Sequence, residues 1–180
     1  MVMTKELELL RKRRTIRRFT AEDVTEEALQ ALLEAASVAP SRLDRRPLHY
    51  VLIRDKASKA KIAEALRVRP YIEEAPVVIA VCADPSVSTT WELDASAAIE
   101  NMLLAATILG LGGAWVGSKG SQLWERALEV LHTVVGVPAG IGVASLVCIG
   151  HPAEEKRPYD PGEKLDPVRI HYDHWDKLKL

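Results

Sequence analysis

Two spacings of apolar residues divide this chain into predicted helices and strands. Helical spacing recurs in residues 4–12, 25–37, 58–67 and 121–136, whereas residues 48–55, 77–84 and 141–150 are largely apolar runs of strand length. Thr25 is a suitable N-cap for its helix, and Pro40 stops it. Because helices and strands alternate without a strict βαβ order, the pattern favours an α+β sandwich with a central mixed β-sheet flanked by helices.

The stretch from Trp91 to Gly117 is predicted to be the centre of this arrangement. It opens with polar residues and then becomes apolar on every face, which predicts a helix buried on all sides. Its apolar part is far shorter than the ~20 residues that a bilayer requires. Gly110 is expected to end the helix, Gly112 and Gly113 to form a turn, and AWVG to form a short strand.

Length and charge limit the possible functions. The 180 residues, taken as one domain over 1–180, carry a formal net charge of −1, so no global field attracts nucleic acid or a membrane. The first residues lack a secretory apolar region, which predicts a cytoplasmic location. Cys82 and Cys148 lie in apolar runs without metal-type spacing and are interpreted as reduced core residues.

A basic run is the strongest chemical signal in the sequence. Six of the eight residues from Arg11 to Arg18 are basic. Such a run is usually a solvated surface, and it also fits a nucleic-acid-binding patch. Arginine predominates, however, and its forked guanidinium suits phosphate oxygens. Thr15 interrupts the run with a hydroxyl, and Ile16 and Phe19 can anchor it to the core. These details favour a phosphate site.

The end of the chain is difficult to pack onto its own subunit. From His151 onward it is charged and rich in proline, and residues 168–180 carry apolar side chains on a predicted extended segment. Exchange of this arm with a second copy of the chain would bury those side chains. His171 and His174 lie in the same segment without a carboxylate at metal spacing, so an ordinary structural role is expected and no metal site is predicted.

Four segments in this order resemble the nitroreductase family of FMN-dependent flavoproteins. They are RRTIRRF, APSRLDRRP, GLGGAWVG and GVPAG followed by LVCIGHPAEE, and the similarity extends from about Lys5 to Trp175. The resemblance implies a homodimer with FMN at the subunit interface, the central helix at the dimer core, and a C-terminal arm that adds a strand to the partner's sheet.

The resemblance also implies roles for individual residues. Arg13 and Thr15 match phosphate ligands beside Arg14, while Arg17 matches a cation at the pyrimidine edge of the flavin, where it would raise the reduction potential. Because the run follows a helix C-terminus, the helix dipole gives no help with the phosphate. Lys164 is the best match to a second phosphate-binding cation, with Arg169 as the alternative.

Two further segments complete the implied flavin site. Pro40 and Ser41 match residues that reach the partner's flavin, but the loop from Arg42 to Arg46 departs from the family. Its Asp44 and Arg46 stand where relatives carry an asparagine and a glutamine, and its arginines could instead recruit an anionic substrate. The segment of Trp115, Val116 and Gly117 matches one that packs on the isoalloxazine ring, with a backbone amide directed at the reactive N5.

The implied function is an FMN-dependent oxidoreductase. Hydride would move from NAD(P)H through flavin N5 to a small electron-poor acceptor, a nitroaromatic or quinone, by a ping-pong mechanism without a catalytic side chain. The absence of a GxGxxG motif implies that nicotinamide binds transiently over the flavin. Reductive dehalogenation, flavin fragmentation and azoline oxidation are alternatives on the same scaffold. A non-enzymatic protein that binds nucleic acid through residues 11–18 is the alternative from another class.

Overall fold

A computed structural model describes residues 4–67, 70–117 and 119–176. Within this part of the chain the elements follow in the order α1 (Lys5–Lys12), α2 (Glu26–Ser37), β1 (Leu48–Ile53), α3 (Lys56–Ala65), α4 (Pro70–Glu74), β2 (Val77–Ala83), α5 (Trp91–Ile108), β3 (Gly112–Val116), α6 (Gln122–Thr133) and β4 (Gly142–Gly150). The predicted N-cap of α2 is confirmed, because the Thr25 hydroxyl accepts a hydrogen bond from the Ala28 amide at 3.2 Å.

The four strands form one sheet in the order β1-β2-β4-β3, and every neighbouring pair is antiparallel. The α+β class is therefore confirmed, but the expected mixed sheet is wrong for these strands. β2 and β3 do run in the same direction, as a helical crossover through α5 requires. β4 inserts between them in the opposite direction and removes the parallel pairing. The parallel contact found among the described residues is an isolated bridge between Thr15 and Gly113.

Helices cover both faces of the sheet, which gives the predicted sandwich. On one face, α2 and α5 pack against Val77, Ile79 and Val81 of β2. On the other face, α3, α4 and α6 pack against Val78 and Ala80 of the same strand. All seven residues of β2 are buried, as expected for a central strand that is covered from both sides.

The helix α5 differs from its prediction in one respect. Ala95, Ala98 and Met102 are fully buried, but Leu93 is 70% exposed and Ile108 is 68% exposed. The prediction of burial on every face is therefore wrong for the single chain, because its own elements cover only part of the helix surface. The apolar residues on the uncovered side remain available for a contact between subunits.

The glycines after α5 also differ from their predicted roles. Gly110, with φ +73°, ends the helix as predicted. Gly112 and Gly113 are the first two residues of β3 rather than a turn. A Cβ at Gly112 would lie 2.7 Å from Cβ of Ile16, and one at Gly113 would lie 2.5 Å from Cδ2 of Leu103. Both glycines are thus needed because other segments approach the strand closely.

The C-terminal segment has little regular structure in the described residues. It contains a short 3-10 turn, Pro167–Arg169, and leaves Val168 64% and Trp175 84% exposed. This exposure fits the expectation that residues 168–180 lack a packing site on their own subunit. Exchange of the arm stays a prediction, and residues 177–180 lie outside the described part.

Candidate functional site

The arginine run lies against the outer edge of the sheet. The Ile16 amide donates to the Gly113 carbonyl of β3 at 3.0 Å. On its other side, the Thr20 amide donates to the His151 carbonyl at 2.9 Å, and the Ala153 amide donates to the Arg18 carbonyl at 2.9 Å. Ile16 is buried, as its anchoring role predicts. The basic run is therefore a fixed segment between β3 and the chain that follows β4.

Each arginine of this segment has a different environment. Arg13 caps the C-terminus of α1, and its Nε lies 3.1 Å from Oε1 of Glu100 on α5. The Arg14 guanidinium lies over the Tyr159 ring at 4.2 Å from the centroid. Arg17 is exposed, with its guanidinium 5.9 Å from the Tyr71 ring. Contacts of this kind orient individual cations, which is unlike a uniform patch of free side chains.

Two residues that the sequence analysis missed hold the backbone of this segment. Oε1 of Glu154 accepts a hydrogen bond from the Arg17 amide at 2.6 Å. The Lys156 ammonium donates to the Thr15 carbonyl at 2.6 Å and lies 3.4 Å from Oε2 of Glu154. The Arg17 amide, and to a lesser extent Lys156, lower the pKa of Glu154. Glu154 lies in the quoted LVCIGHPAEE segment and Lys156 directly follows that segment, but the sequence analysis assigned neither residue a role.

A buried carboxylate organises the loop after α2. Asp94, in the first turn of α5, is only 6% exposed. It accepts hydrogen bonds from the Arg42 amide at 3.2 Å and from the Ser88 hydroxyl at 2.8 Å. The sequence analysis assigned Asp94 no role, because its partner Arg42 is 52 residues away along the chain. The loop is thus fastened to the helix whose outer side is uncovered.

The arginines of this loop are less available than the sequence suggested. The Arg42 guanidinium donates to the Thr89 hydroxyl, and that of Arg45 donates to the Val87 carbonyl at 3.2 Å. Arg46 makes a two-pronged pair with Asp44, at 2.9 and 3.0 Å, and this pairing lowers the pKa of the Asp44 carboxyl. Arg42 and Arg45 therefore hold the loop in place.

Unlike Arg42 and Arg45, Arg46 lines a cleft of about 210 Å³. Pro40, Ser41, Tyr50 and other residues line the same cleft. The Ser41 hydroxyl accepts the Arg46 amide at 3.1 Å, which fixes the turn between them. Leu43, Asp44 and Arg46 have φ of +52°, +53° and +50°. Such positive values in residues with side chains are uncommon and concentrate at functional sites. Pro40, Ser41 and Arg46 thus line one cleft, with Asp44 paired to Arg46, and their contact with a flavin stays a prediction.

The segment of Trp115, Val116 and Gly117 offers mainly backbone and one ring to a ligand. Trp115 is 39% exposed, and its indole N–H donates to Oγ of Ser145 at 2.7 Å. Val116 is fully buried, so its side chain packs in the core. A Cβ at Gly117 would lie 2.6 Å from Oγ of Ser145, which explains the glycine.

The two cations proposed near the C-terminus lie in different places. Lys164 lies 5.0 Å from the centre of the Tyr159 ring, which also contacts Arg14, so it is close to the arginine segment. Arg169 pairs locally with Asp166 at 3.1 Å and is 84% exposed. This geometry favours Lys164 over Arg169 as the partner of the arginine segment.

The predicted site residues therefore form two groups. Residues 13–17, the strand β3 and Lys164 make one group, and the loop of residues 40–46 makes the other. None of the hydrogen bonds or ion pairs found in residues 4–67, 70–117 and 119–176 joins the two groups directly. Both contact α5, through Glu100 and Asp94 respectively.

Other candidates for chemistry have structural environments. Burial raises the pKa of the Cys82 thiol to about 11, so it stays protonated at neutral pH. Trp124 is buried, and Trp91 packs directly on Gly142, so both side chains have packing roles. The His171 ring stacks on Trp175 at 4.5 Å between centroids. Within the described residues there is no cluster of acidic, histidine and cysteine side chains that could hold a metal, and no helix there could cross a membrane.

Comparison with known proteins decides the family. A model of the nitroreductase family matches residues 10–84 and 68–151. The chain belongs to the nitroreductase family. A relative from Archaeoglobus fulgidus, named as an NADH dehydrogenase/NAD(P)H nitroreductase, is 35% identical over 94% of this chain and 98% of its own length.

Solved structures of nitroreductase relatives support the same assignment. A protein from Parabacteroides distasonis with the same name superposes with a TM-score of 0.87 at 29% identity, covering 96% of this chain and all of the other. A nitroreductase from Desulfovibrio desulfuricans, solved in complex with FMN, is 33% identical with a TM-score of 0.76 and covers 87% of this chain and 94% of the other. Both structures confirm the predicted nitroreductase-like α+β fold, whereas exchange of the C-terminal arm stays a prediction.

Proposed function

We propose that this nitroreductase-family protein is an FMN-dependent oxidoreductase that transfers hydride from NAD(P)H to a small electron-poor acceptor such as a nitroaromatic or a quinone. The observation that carries the proposal is the fixed position of the arginine segment along the edge strand β3. The FMN complex of the Desulfovibrio relative supports this choice of cofactor.

The donor set of this chain fits FMN. The phosphate is a dianion, and Arg13, Arg14 and Lys164 supply cations near the end of α1, where the helix dipole opposes anion binding. Arg13 and Thr15 would hold the phosphate. Arg17 would lie at the pyrimidine edge and stabilise the negative charge that accumulates there on reduction.

The edge strand β3 can contact the ring of the flavin through its backbone. The Gly113 carbonyl points away from β4, since it accepts from Ile16. Backbone groups alternate in direction along a strand, so those of Trp115 also face the outer edge. In this proposal an amide in the segment of residues 115–117 would donate to the ring, and the outward direction of the Trp115 backbone supports it. When bound, FMN would supply the N5 centre that accepts and returns hydride in a ping-pong cycle.

The proposed active form is a homodimer of a single domain over residues 1–180. The exposed Leu93 and Ile108 of α5, together with Val168 and Trp175 of the arm, provide apolar surface for the partner. In such a dimer, Pro40, Ser41 and Arg46 of one subunit would reach the flavin held by residues 13–17 of the other. This arrangement accounts for the separation of the two groups within one chain.

The test is the visible spectrum of the purified protein, followed by reduction with NADH or NADPH and reoxidation by a quinone. We expect a yellow protein that releases FMN on denaturation and is bleached by NAD(P)H. A colourless protein without affinity for added FMN would refute the proposal. Retention of RNA instead would favour a nucleic-acid-binding function for residues 11–18.

A further inference from the structure

The ring of Tyr159 contacts two cations that come from distant parts of the chain. The Arg14 guanidinium carbon lies 4.2 Å and the Lys164 ammonium 5.0 Å from the ring centre. The Tyr159 amide donates to the Arg11 carbonyl at 3.1 Å, which fixes the ring beside the arginine segment. One aromatic side chain therefore contacts both a guanidinium and an ammonium.

Arg14 and Lys164 carry like charges that repel each other, so their contacts with the same ring need a cause. The negative face of an aromatic ring attracts cations within about 6 Å of its centre. Lys164 is 69% exposed, and its nearest carboxylate oxygen, on Glu163, is 3.7 Å away. That carboxylate accepts from Arg157 at 2.9 Å and from the Asp160 amide at 3.0 Å. The Tyr159 ring is thus the contact that Lys164 shares with Arg14.

Arg157 is a third cation near Tyr159, but its guanidinium pairs with acidic side chains. Its guanidinium is used by Asp160 at 3.2 Å and by Glu163, so these two acids are largely occupied. Its carbonyl accepts a hydrogen bond from the Arg14 guanidinium. The segment of residues 157–164 therefore orients Arg14 from two sides, by a carbonyl and by an aromatic face.

We propose that Tyr159 is a positioning residue for the phosphate of the flavin, holding Arg14 and Lys164 together so that both meet the same dianion. This inference rests on the proposed FMN function and assigns a role to a residue outside the predicted site. The tyrosine acts through the two cations. Its own contact with the flavin is not required.

The inference makes a specific prediction about which flavins are affected. Tyr159→Leu removes the aromatic face and should raise the dissociation constant of FMN roughly 5- to 30-fold, because two exposed cation–π contacts are lost. Riboflavin, which has the same ring but no phosphate, should bind the variant and the wild type equally well. Tyr159→Phe keeps the aromatic face and should bind FMN as the wild type does.

The experiment is a fluorescence titration of the full chain, freed of bound flavin, with FMN and riboflavin side by side. It uses the wild type, Tyr159→Phe, Tyr159→Leu, Lys164→Ala and the double variant of the last two. Lys164→Ala removes an exposed side chain, so its folding is not in question. A selective loss of FMN affinity in Tyr159→Leu and Lys164→Ala, with less than additive loss in the double variant, supports the inference.

Four results would overturn it. Equal loss of FMN and riboflavin in Tyr159→Leu would show a merely structural role, and unchanged FMN binding would show no role for the ring. Additive losses in the double variant would show that the ring and Lys164 act independently. Failure of the wild type itself to bind either flavin would refute the proposed function and this inference with it. That outcome is distinguishable from failure of the inference alone, because it is seen without any variant.

Discussion

Replacing Arg13 and Arg17 separately with alanine should distinguish two roles within the proposed flavin site. The Arg13 side chain is 23% exposed and is oriented by Glu100. Since a charge-assisted hydrogen bond is worth about 1.5–3 kcal/mol, we expect Arg13→Ala to weaken FMN binding roughly 10- to 150-fold. The potential of the flavin that remains bound should change little.

Arg17→Ala should have the opposite pattern. The Arg17 side chain is exposed and makes only a distant contact with the Tyr71 ring, so it is free to meet the flavin edge. Two unit charges about 4 Å apart interact by about 1 kcal/mol in water and about 4 kcal/mol near a protein surface. For a two-electron couple, loss of this interaction lowers the potential by roughly 20–90 mV. Most of the FMN should stay bound, and hydride acceptance should slow.

The assay combines flavin titration with potentiometry against reference dyes for the wild type and both variants. Glu100→Gln is the matched control, because it removes the ion pair but keeps the Arg13 cation. That variant should bind FMN at least as tightly as the wild type. Equal cofactor loss in both arginine variants, with an unchanged potential, would refute the division of roles. Weakening of FMN binding by Glu100→Gln to the level of Arg13→Ala would refute the phosphate contact.

Three further predictions concern the C-terminal arm, the loop of residues 40–46, and Glu154, which holds the backbone of the arginine segment. Deleting the residues after Pro167 should abolish both dimer and bound FMN, as measured by light scattering and the visible spectrum; a truncated protein that stayed dimeric and yellow would place the dimer contact on α5. Asp94→Ala should destabilise the fold by roughly 2–5 kcal/mol because buried donors lose their acceptor, and each kcal/mol should lower Tm by about 2–4 °C. Glu92→Gln in the same helical turn should cost at most about 0.5 kcal/mol, and equal melting of these two variants would contradict the role of Asp94. The Arg17 amide lowers the pKa of Glu154 from 4.5, so the stability that Glu154 contributes is present above pH 4.5 and is lost as the pH falls through its lowered pKa. Glu154→Gln should therefore flatten the decline of Tm on the acid side, and an unchanged decline would show that Glu154 does not contribute to it.

The elements of the fold could be predicted because their signals are local. The helix after Thr25 is predicted by a capping residue, acidic residues in its first turn and a regular apolar stripe. The strand of residues 77–83 is a continuous apolar run. Sheet order carries no such signal, because it depends on contacts between distant segments. The insertion of β4 between β2 and β3 was therefore missed, and the sheet was predicted to be mixed.

The candidate site shows the same limit. The arginine segment could be recognised because its residues are consecutive. Asp94 and Lys156 could not, since they act on backbone groups 52 and 141 residues away. Gly112 was predicted to form a turn because glycine often does so. Its actual requirement is the close approach of Ile16, which only the folded chain reveals.

The late position of β4 in the sequence has a consequence for synthesis on the ribosome. β2 pairs with β1 on one side, but its other edge must wait for β4, which begins 59 residues after β2 ends (Ala83 to Gly142). Until then, the apolar strand of residues 77–83 presents an unpaired edge, which is a known starting point for aggregation. The hydrogen-bond partners of the arginine segment, at residues 151–157, emerge later still. The nascent chain would thus complete its sheet before the contacts that fix the arginine segment are in place.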